Sequence, residues 1–135
     1  MQKIIEETNA VTWFEIPVID TSRAKKFYET ILDMVMQTQY MEETKEEVTF
    51  FPFTPNIPRA TSGRVSGVLV KNERVRPSGT GITVYLNANP KIKTVLDKIE
   101  HAGGKIIMPD KKIAVGHVAI FIDTEGNRVG LYSEN

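Results

Sequence analysis

The chain contains no cysteine. It therefore forms no disulfide, carries no thiolate nucleophile and offers no sulfur ligand to zinc. A protein without cysteine fits the reducing cytoplasm, where disulfides are rare. The N-terminal sequence MQKIIEETNA also lacks the apolar run of a secretory signal. We therefore expect a cytoplasmic protein.

Long hydrophobic runs and an excess of charge of one sign are missing too. No apolar run reaches the roughly 18–20 residues that a membrane span needs, so we expect no membrane partner. Lys and Arg together number 17, as do Asp and Glu, and the formal net charge is zero. Proteins that bind nucleic acid normally carry a basic excess that neutralises phosphates. We therefore expect no nucleic-acid partner.

Several catalytic motifs are absent. The sequence has neither the G-x-x-x-x-G-K-[ST] loop that cradles phosphates nor the G-x-S-x-G turn that presents a serine nucleophile. The chain has 135 residues, of which 41% are hydrophobic and 25% charged, as is usual for a globular protein. From this length we expect a single domain that spans residues 1–135.

What the sequence does have is an internal repeat. Val11–Leu32 and Gly81–Ala102 each read as an alternating strand, a polar turn and an amphipathic helix. Three further candidate strands follow each helix, which gives module 1 over about residues 8–75 and module 2 over about 81–135. Because a repeat of half the chain determines architecture, we predict an α+β fold. Its two βαβββ modules form a U-shaped mixed or antiparallel sheet around a groove.

Local signals mark the element boundaries. Thr21 or Ser22 is expected to cap the first helix. Asn89–Pro90 reads as the start of the second helix, with an N-cap followed by proline at the first helical position. The acidic segment Glu42–Glu47 reads as a solvated hairpin turn.

Strand alternation selects the side chains that face the groove. In the first strand Phe14 and Ile16 pack beneath the helix, so Trp13 and Glu15 point the other way. Aromatic walls with a few polar groups are typical of a small-molecule pocket. The same alternation in module 2 completes the predicted ligand-binding set of Trp13, Thr83, Tyr85, Asn87, Arg128 and Tyr132.

Glu15 and His117 are the candidate catalytic residues. A carboxylate partly buried beside an indole can serve as a general acid or base, and the alternative is that Glu15 forms a structural ion pair with Arg128 or another basic residue. His117 lies on a strand and either faces the groove or packs against a neighbour. The other histidine, His101, reads as a surface residue near the end of the second helix.

A basic stretch runs through Arg59–Arg76. It contains Arg59, Arg64, Lys71, Arg74 and Arg76. These cations could attract an anionic substrate; the alternative is that they solvate a loop and an edge strand.

Two motifs resemble those of the vicinal oxygen chelate superfamily. The pattern V-x-D-x-x-x-A-x-x-F-Y-x-x-x-L spans Val18–Leu32, and D-x-E-G-N spans Asp123–Asn127. That superfamily includes glyoxalase I, bleomycin-resistance proteins and extradiol dioxygenases, and the chain looks most similar to its small single-domain glyoxalase-like members. The resemblance implies the paired βαβββ modules, a small-molecule ligand and a homodimer.

Metal-dependent members of this superfamily hold a divalent ion with His, Gln or Glu at four positions. Carried over to this sequence, three positions fall on Trp13, Thr83 and Gly130, and the fourth on Val65–Lys71, which contains no His, Glu or Asp. Tryptophan and glycine offer no side-chain ligand. We therefore expect no metal and no other cofactor, the alternative being a divalent ion on a different ligand set.

The sequence thus predicts a glyoxalase- or bleomycin-resistance-like protein that has lost the metal-ligand positions and binds a small molecule in the groove between its modules. The alternative is a lyase or isomerase acting on a small oxygenated substrate, with Glu15 as the base and a metal recruited through His117. A third reading is a scaffold or dimer module whose groove is filled by side chains.

Overall fold

The computed structural model describes residues 4–135, and within them it contains eight strands and two helices in the order of two βαβββ modules. Module 1 comprises β1 (Trp13–Pro17), α1 (Thr21–Leu32), β2 (Gln37–Met41), β3 (Glu46–Phe50) and β4 (Ser66–Lys71). Module 2 comprises β5 (Tyr85–Asn87), α2 (Ile92–Ile99), β6 (Lys105–Ile113), β7 (Gly116–Ile122) and β8 (Arg128–Ser133). The predicted α+β fold of duplicated modules is confirmed.

Each module builds one four-stranded mixed sheet. Sheet A has the strand order β1-β4-β3-β2, and sheet B has the equivalent order β5-β8-β7-β6. The first strand of each module pairs in parallel with the last, and the other neighbours are antiparallel. Among the residues described, no helix has the length and apolarity needed to cross a membrane.

One hydrophobic core joins the two modules. It contains Ile16 and Leu69 of sheet A, both nearly inaccessible to solvent, together with residues of both helices and of sheet B. Helix α1 also reaches across to module 2, since the ring centroids of Phe27 and Phe121 are 5.8 Å apart and those of Tyr28 and Phe121 are 6.5 Å apart. Burial of this shared apolar surface therefore stabilises both modules together.

The turn between β7 and β8 caps helix α1 from the other module. The Glu125 carboxylate accepts hydrogen bonds from the backbone N–H groups of Ile19 and Asp20, at 2.9 and 2.8 Å, and from Nε of Arg23 at 2.7 Å. Burial favours the neutral carboxyl, but the bonds from Arg23 and from the two backbone groups outweigh it and lower the pKa of Glu125 to about 2. A carboxylate at a helix N-terminus is also favoured by the helix dipole.

Two neighbouring side chains complete this contact. Asp123 accepts a hydrogen bond from the hydroxyl of Tyr28 at 2.7 Å, and burial together with this carboxylate raises the pKa of Tyr28 well above its usual value. The Asn127 amide donates to the carbonyl of Pro17 at 2.7 Å and to Asp123 at 3.0 Å. We call Asp123, Glu125 and Asn127 with their module 1 partners the inter-module clasp.

The predicted helix caps are wrong. Asp20, rather than Thr21 or Ser22, caps α1 by accepting from the backbone N–H of Arg23 at 3.0 Å. Helix α2 begins at Ile92 with Lys91 as its N-cap, beyond the predicted start at Asn89–Pro90. The Asn89 side chain instead accepts a hydrogen bond from the backbone of Glu134 at 2.8 Å, a long-range contact that competes with capping.

The acidic hairpin is shorter than predicted. Strand β2 ends at Met41 and β3 begins at Glu46. Glu46 and Glu47 therefore belong to a strand, and their side chains can reach the surfaces of sheet A.

Replacing Glu125 tests the clasp. A carboxyl whose pKa falls from 4.5 to about 2 on folding stabilises the fold above pH 4.5, and this contribution, on the order of 3 kcal/mol, is lost as the pH falls toward 2. Glu125→Gln should therefore reduce the free energy of unfolding by roughly this amount at pH 7, measured by urea denaturation. The difference from the native chain should shrink between pH 5 and 2.

The matched control is Glu100→Gln, an exposed carboxylate at the end of α2. Its free energy of unfolding should stay within about 0.5 kcal/mol of that of the native chain at every pH. A constant difference between Glu125→Gln and the native chain across this pH range would contradict the role assigned to the ionised carboxylate.

Candidate functional site

Sheet A carries apolar side chains on the face turned away from the helices, which we call the outer face. Cross-strand pairing puts Glu15 beside Val68, and Val68 beside Phe50. Val48, Val68 and Val70 form a second buried apolar cluster on this face, separate from the main core. The outer face of a sheet next to water normally carries polar side chains, so this apolar face is a candidate binding surface.

Three aromatic rings gather at one end of the outer face. Trp13 meets Phe50 and Phe53 edge-on, with ring centroids 6.4 and 5.6 Å apart, and the two phenylalanines stack at 5.4 Å. The Arg59 guanidinium lies over them, 5.0 Å from the Trp13 centroid and 6.0 Å from that of Phe53. This aromatic corner thus already binds a cation through a cation–π contact.

A cleft of about 630 Å³ lies over the outer face. Trp13, Phe50 and Val68 are part of its floor, and the β2–β3 hairpin forms its rim. Its carboxylates are Glu15, Glu42, Glu43 and Glu46. Its volume falls within the range usual for small-molecule sites.

The carboxylates of this cleft differ in their partners. Glu46 forms an ion pair with Arg74 at 2.9 Å and accepts a hydrogen bond from Asn72 at 2.7 Å. Glu15 is exposed and forms no ion pair with any residue from 4 to 135. The structural pair of Glu15 with Arg128 is not formed, because Arg128 donates to the hydroxyl of Thr83 instead.

The predicted residues of module 2 line a different cleft. Thr83, Tyr85 and Asn87 border a groove of about 660 Å³ together with Phe14 and Phe51. The structure therefore brings Trp13 and Glu15 together in one cleft and Thr83, Tyr85 and Asn87 together in another. Glu15 and Arg128 share only a small cavity of about 140 Å³ at the seam between the modules.

The side chains of His117 and Tyr132, in sheet B, each have a hydrogen-bond partner within module 2. His117 alternates along β7 with Ala119 and Phe121 of the main core, and its Nδ1 lies 2.6 Å from the carboxylate of Asp110. The Tyr132 hydroxyl donates to the carbonyl of Val115 at 2.5 Å. The structure thus does not bring His117 close to Glu15, and no step that uses both side chains is supported by this geometry.

The positions carried over from metal-dependent relatives do not fit a divalent ion. Trp13 packs in the aromatic corner, the Thr83 hydroxyl accepts from Arg128, and the ring of Tyr85 covers Gly130. Within residues 4–135 no cluster of three or more His, Asp or Glu side chains could hold a metal.

Sequence reasoning missed much of the cleft. Phe50 and Met41 contribute to its floor and rim, while Phe53 and Arg59 pack against Trp13 beside it. The signal for Phe50 was available, because it alternates with Val48 along β3 in the pattern of a strand with one apolar face. Arg59 comes from a proline-rich loop whose path no local pattern specifies.

Fold and sequence comparisons define the class of this protein. The sequence model of the Glyoxalase/Bleomycin resistance protein/Dioxygenase superfamily matches residues 10–131. The chain therefore belongs to that superfamily. A comparison with curated proteins finds no match.

Solved structures of similar fold include three informative examples. A glyoxalase/bleomycin resistance protein from Streptomyces sp. CB03234 is 22% identical, with a TM-score of 0.63 and coverage of 90% of this chain and 97% of that one. An antibiotic-binding protein from the same strain is 16% identical, with a TM-score of 0.60 and coverage of 94% and 97%. A variant of glyoxalase I from Zea mays is 19% identical, with a TM-score of 0.66 and coverage of 90% and 46%, so this chain spans about half its length.

The packing of Tyr85 on Gly130 predicts that substitutions at these two positions have non-additive effects on stability. A Cβ at Gly130 would lie 2.6 Å from a ring carbon of Tyr85, which is closer than real Cβ contacts. Gly130→Ala should therefore cost about 1–3 kcal/mol of stability. Most of that cost should disappear when Tyr85→Ala is already present, as measured by a double-mutant cycle of urea denaturation.

Gly79→Ala is the matched control, since a Cβ there would meet only a backbone oxygen of Gly126 at 3.8 Å. It should leave stability nearly unchanged. Strictly additive effects of the Gly130 and Tyr85 substitutions would show that the ring does not occupy this space in solution.

Proposed function

We propose that this protein binds a small organic cation with an apolar body in the cleft over the outer face of sheet A. One observation carries the proposal: an apolar floor lies beneath a rim of carboxylates. Binding in this cleft replaces the predicted hollow shared by Trp13 and Tyr85. It retains the predicted small-molecule ligand and the loss of the metal-ligand positions.

The floor supplies the apolar part of the binding energy. Val48 and Val68 are already less than one-tenth exposed, so the apolar surface still open to a ligand is that of the partly exposed rings of Trp13 and Phe50. A ligand that covers this surface removes apolar area from water at about 25 cal/mol per Å². Such a surface suits an aliphatic or aromatic body rather than a sugar or a nucleotide.

The rim supplies the preference for positive charge. No Lys or Arg lines the cleft, and Glu15, Glu42 and Glu43 form no ion pair with any residue that the structure describes. Carboxylates around a concave surface of low polarity attract a cation. The Arg59 guanidinium on Trp13 shows that this ring can hold a positive group, and a ligand cation would therefore bind nearer to Glu15 and the hairpin carboxylates.

One of the comparisons is compatible with a binding function. A protein of similar fold from Streptomyces is described as antibiotic-binding. The positions that would hold a metal are occupied by Trp13, Thr83 and Gly130, which offer no adequate ligand set. Sequestration of an amphipathic cation requires only the floor and the rim.

The test uses the fluorescence of Trp13, which is the sole tryptophan of the chain. Three probes share an adamantane body and differ in charge: 1-adamantylammonium, 1-adamantanol and adamantane-1-carboxylate. We expect a saturable change in emission with the ammonium, weaker binding of the alcohol and the weakest of the carboxylate. Equal or tighter binding of the carboxylate, or no saturable response to the ammonium, would refute the proposal.

Two variants separate the contribution of charge to the binding energy from that of apolar contact. Glu15→Gln should weaken ammonium binding by about 3–10-fold, the effect of removing one nearby opposite charge, and leave the alcohol unaffected. Trp13→Ala should weaken both by at least about 10-fold by calorimetry, because the ring supplies contact area. Glu100→Gln, which removes an exposed carboxylate far from the cleft, should change neither.

The proposed setting is the cytoplasm, and the proposed assembly is a homodimer. The absence of cysteine supports the first, and membership of the superfamily supports the second. Light scattering should give a mass of about 30 kDa, twice the 15.2 kDa of the chain. A mass equal to that of one chain across the micromolar range would overturn the assembly proposal.

A further inference from the structure

We infer a second binding site, for an organic anion with an apolar body, on the helix side of sheet A. A cleft of about 830 Å³ opens there between the β1–α1 connection and the segment that follows β4. Glu47 and Lys71, which are cross-strand partners, lie at its base. Because Glu47 alternates with Val48, this cleft lies on the opposite side of the sheet from the apolar outer face.

Positive charge is concentrated in this cleft although the chain as a whole is neutral. Its lining includes four cationic side chains, Lys45, Lys71, Arg74 and Arg76, against two carboxylates, Glu47 and Glu73. Of these cations, Lys45, Lys71 and Arg76 form no ion pair with any described residue. Glu47 and Glu73 form none either, so three unpaired cations stand against two unpaired carboxylates, and the net positive charge of the cleft attracts an anion.

The segment that carries Arg74 and Arg76 is held in place. The Asn72 side-chain oxygen accepts from the backbone N–H groups of Arg74 and Val75, at 2.7 and 3.0 Å, while its amide donates to Glu46 at 2.7 Å. Arg74 also reaches Glu46 at 2.9 Å. The cationic wall is therefore positioned before any ligand arrives, which reduces the entropy lost on binding.

Apolar side chains lie among these cations. Ile19 is 49% exposed and Val75 is 47% exposed, on opposite walls of the cleft, with the buried Val18 beneath them. Inorganic phosphate or sulfate would leave this apolar surface uncovered. A carboxylate or phosphate monoester on an aromatic or aliphatic body fits both the charge and the walls.

The experiment is a titration of the ¹⁵N-labelled full chain with phenyl phosphate, followed by two-dimensional amide NMR. We expect saturable shifts at Ile19, Lys71 and Val75 with a Kd below about 10 mM. Inorganic phosphate should bind more weakly, phenol should bind weakly or not at all, and phenylacetate shows whether a carboxylate suffices. Affinity should fall as salt is raised, because the attraction is screened.

Variants assign the effect to the cleft. Lys71→Gln and Arg76→Gln should each raise the Kd for phenyl phosphate at least about 3-fold, which is the loss of affinity expected for one partly exposed charge. Lys111→Gln is the charge-matched control, since Lys111 is an exposed residue of β6 in module 2. The amide spectrum of each variant verifies that the fold is retained.

Three outcomes would overturn the inference: no saturable shift, equal loss of affinity in Lys111→Gln, or shifts that centre on the Trp13 indole N–H rather than on Ile19 and Val75. The last would place the anion on the outer face, in the cleft proposed for a cation. The adamantane titrations are read at Trp13, so failure of either proposal is distinguishable from failure of the other.

Discussion

The buried Glu125 carboxylate is the contact on which the arrangement of the two modules depends. Its side chain is fully enclosed, and an ionised carboxylate can be buried only when donors replace the lost water. The backbone of Ile19 and Asp20 and the guanidinium of Arg23 supply those donors from the first module. Because removal of one partner leaves a buried charge unsatisfied, this contact selects one arrangement of the modules.

The shared core and the clasp leave both sides of sheet A with distinct surfaces. On the outer face, valines and the rings of Trp13 and Phe50 lie beneath carboxylates. On the helix side, beyond the end of the core, Lys71 and Arg76 border the second cleft. A net charge of zero therefore conceals a separation of charge across one sheet, and local charge rather than total charge determines which ligands are attracted.

Membership of the superfamily specifies the scaffold, and the side chains specify the chemistry. At two positions where the resemblance implies metal ligands in metal-dependent members, this chain has Trp13 and Gly130, and Tyr85 packs into the space above Gly130. Trp13 and Tyr85 thus place aromatic surface at these positions. Aromatic surface with nearby carboxylates is what the proposed binding of an apolar cation uses.

Local pattern determined which elements form and which face each side chain takes. The repeat predicted both modules, and alternation along β1 put Trp13 and Glu15 opposite Ile16, because a strand has a period of two residues whatever surrounds it. Tertiary structure decided the rest. Glu125 meets Arg23 across 102 residues, and Asn89 binds Glu134 instead of capping α2. Such contacts depend on how distant segments pack, which the local sequence around each residue does not specify.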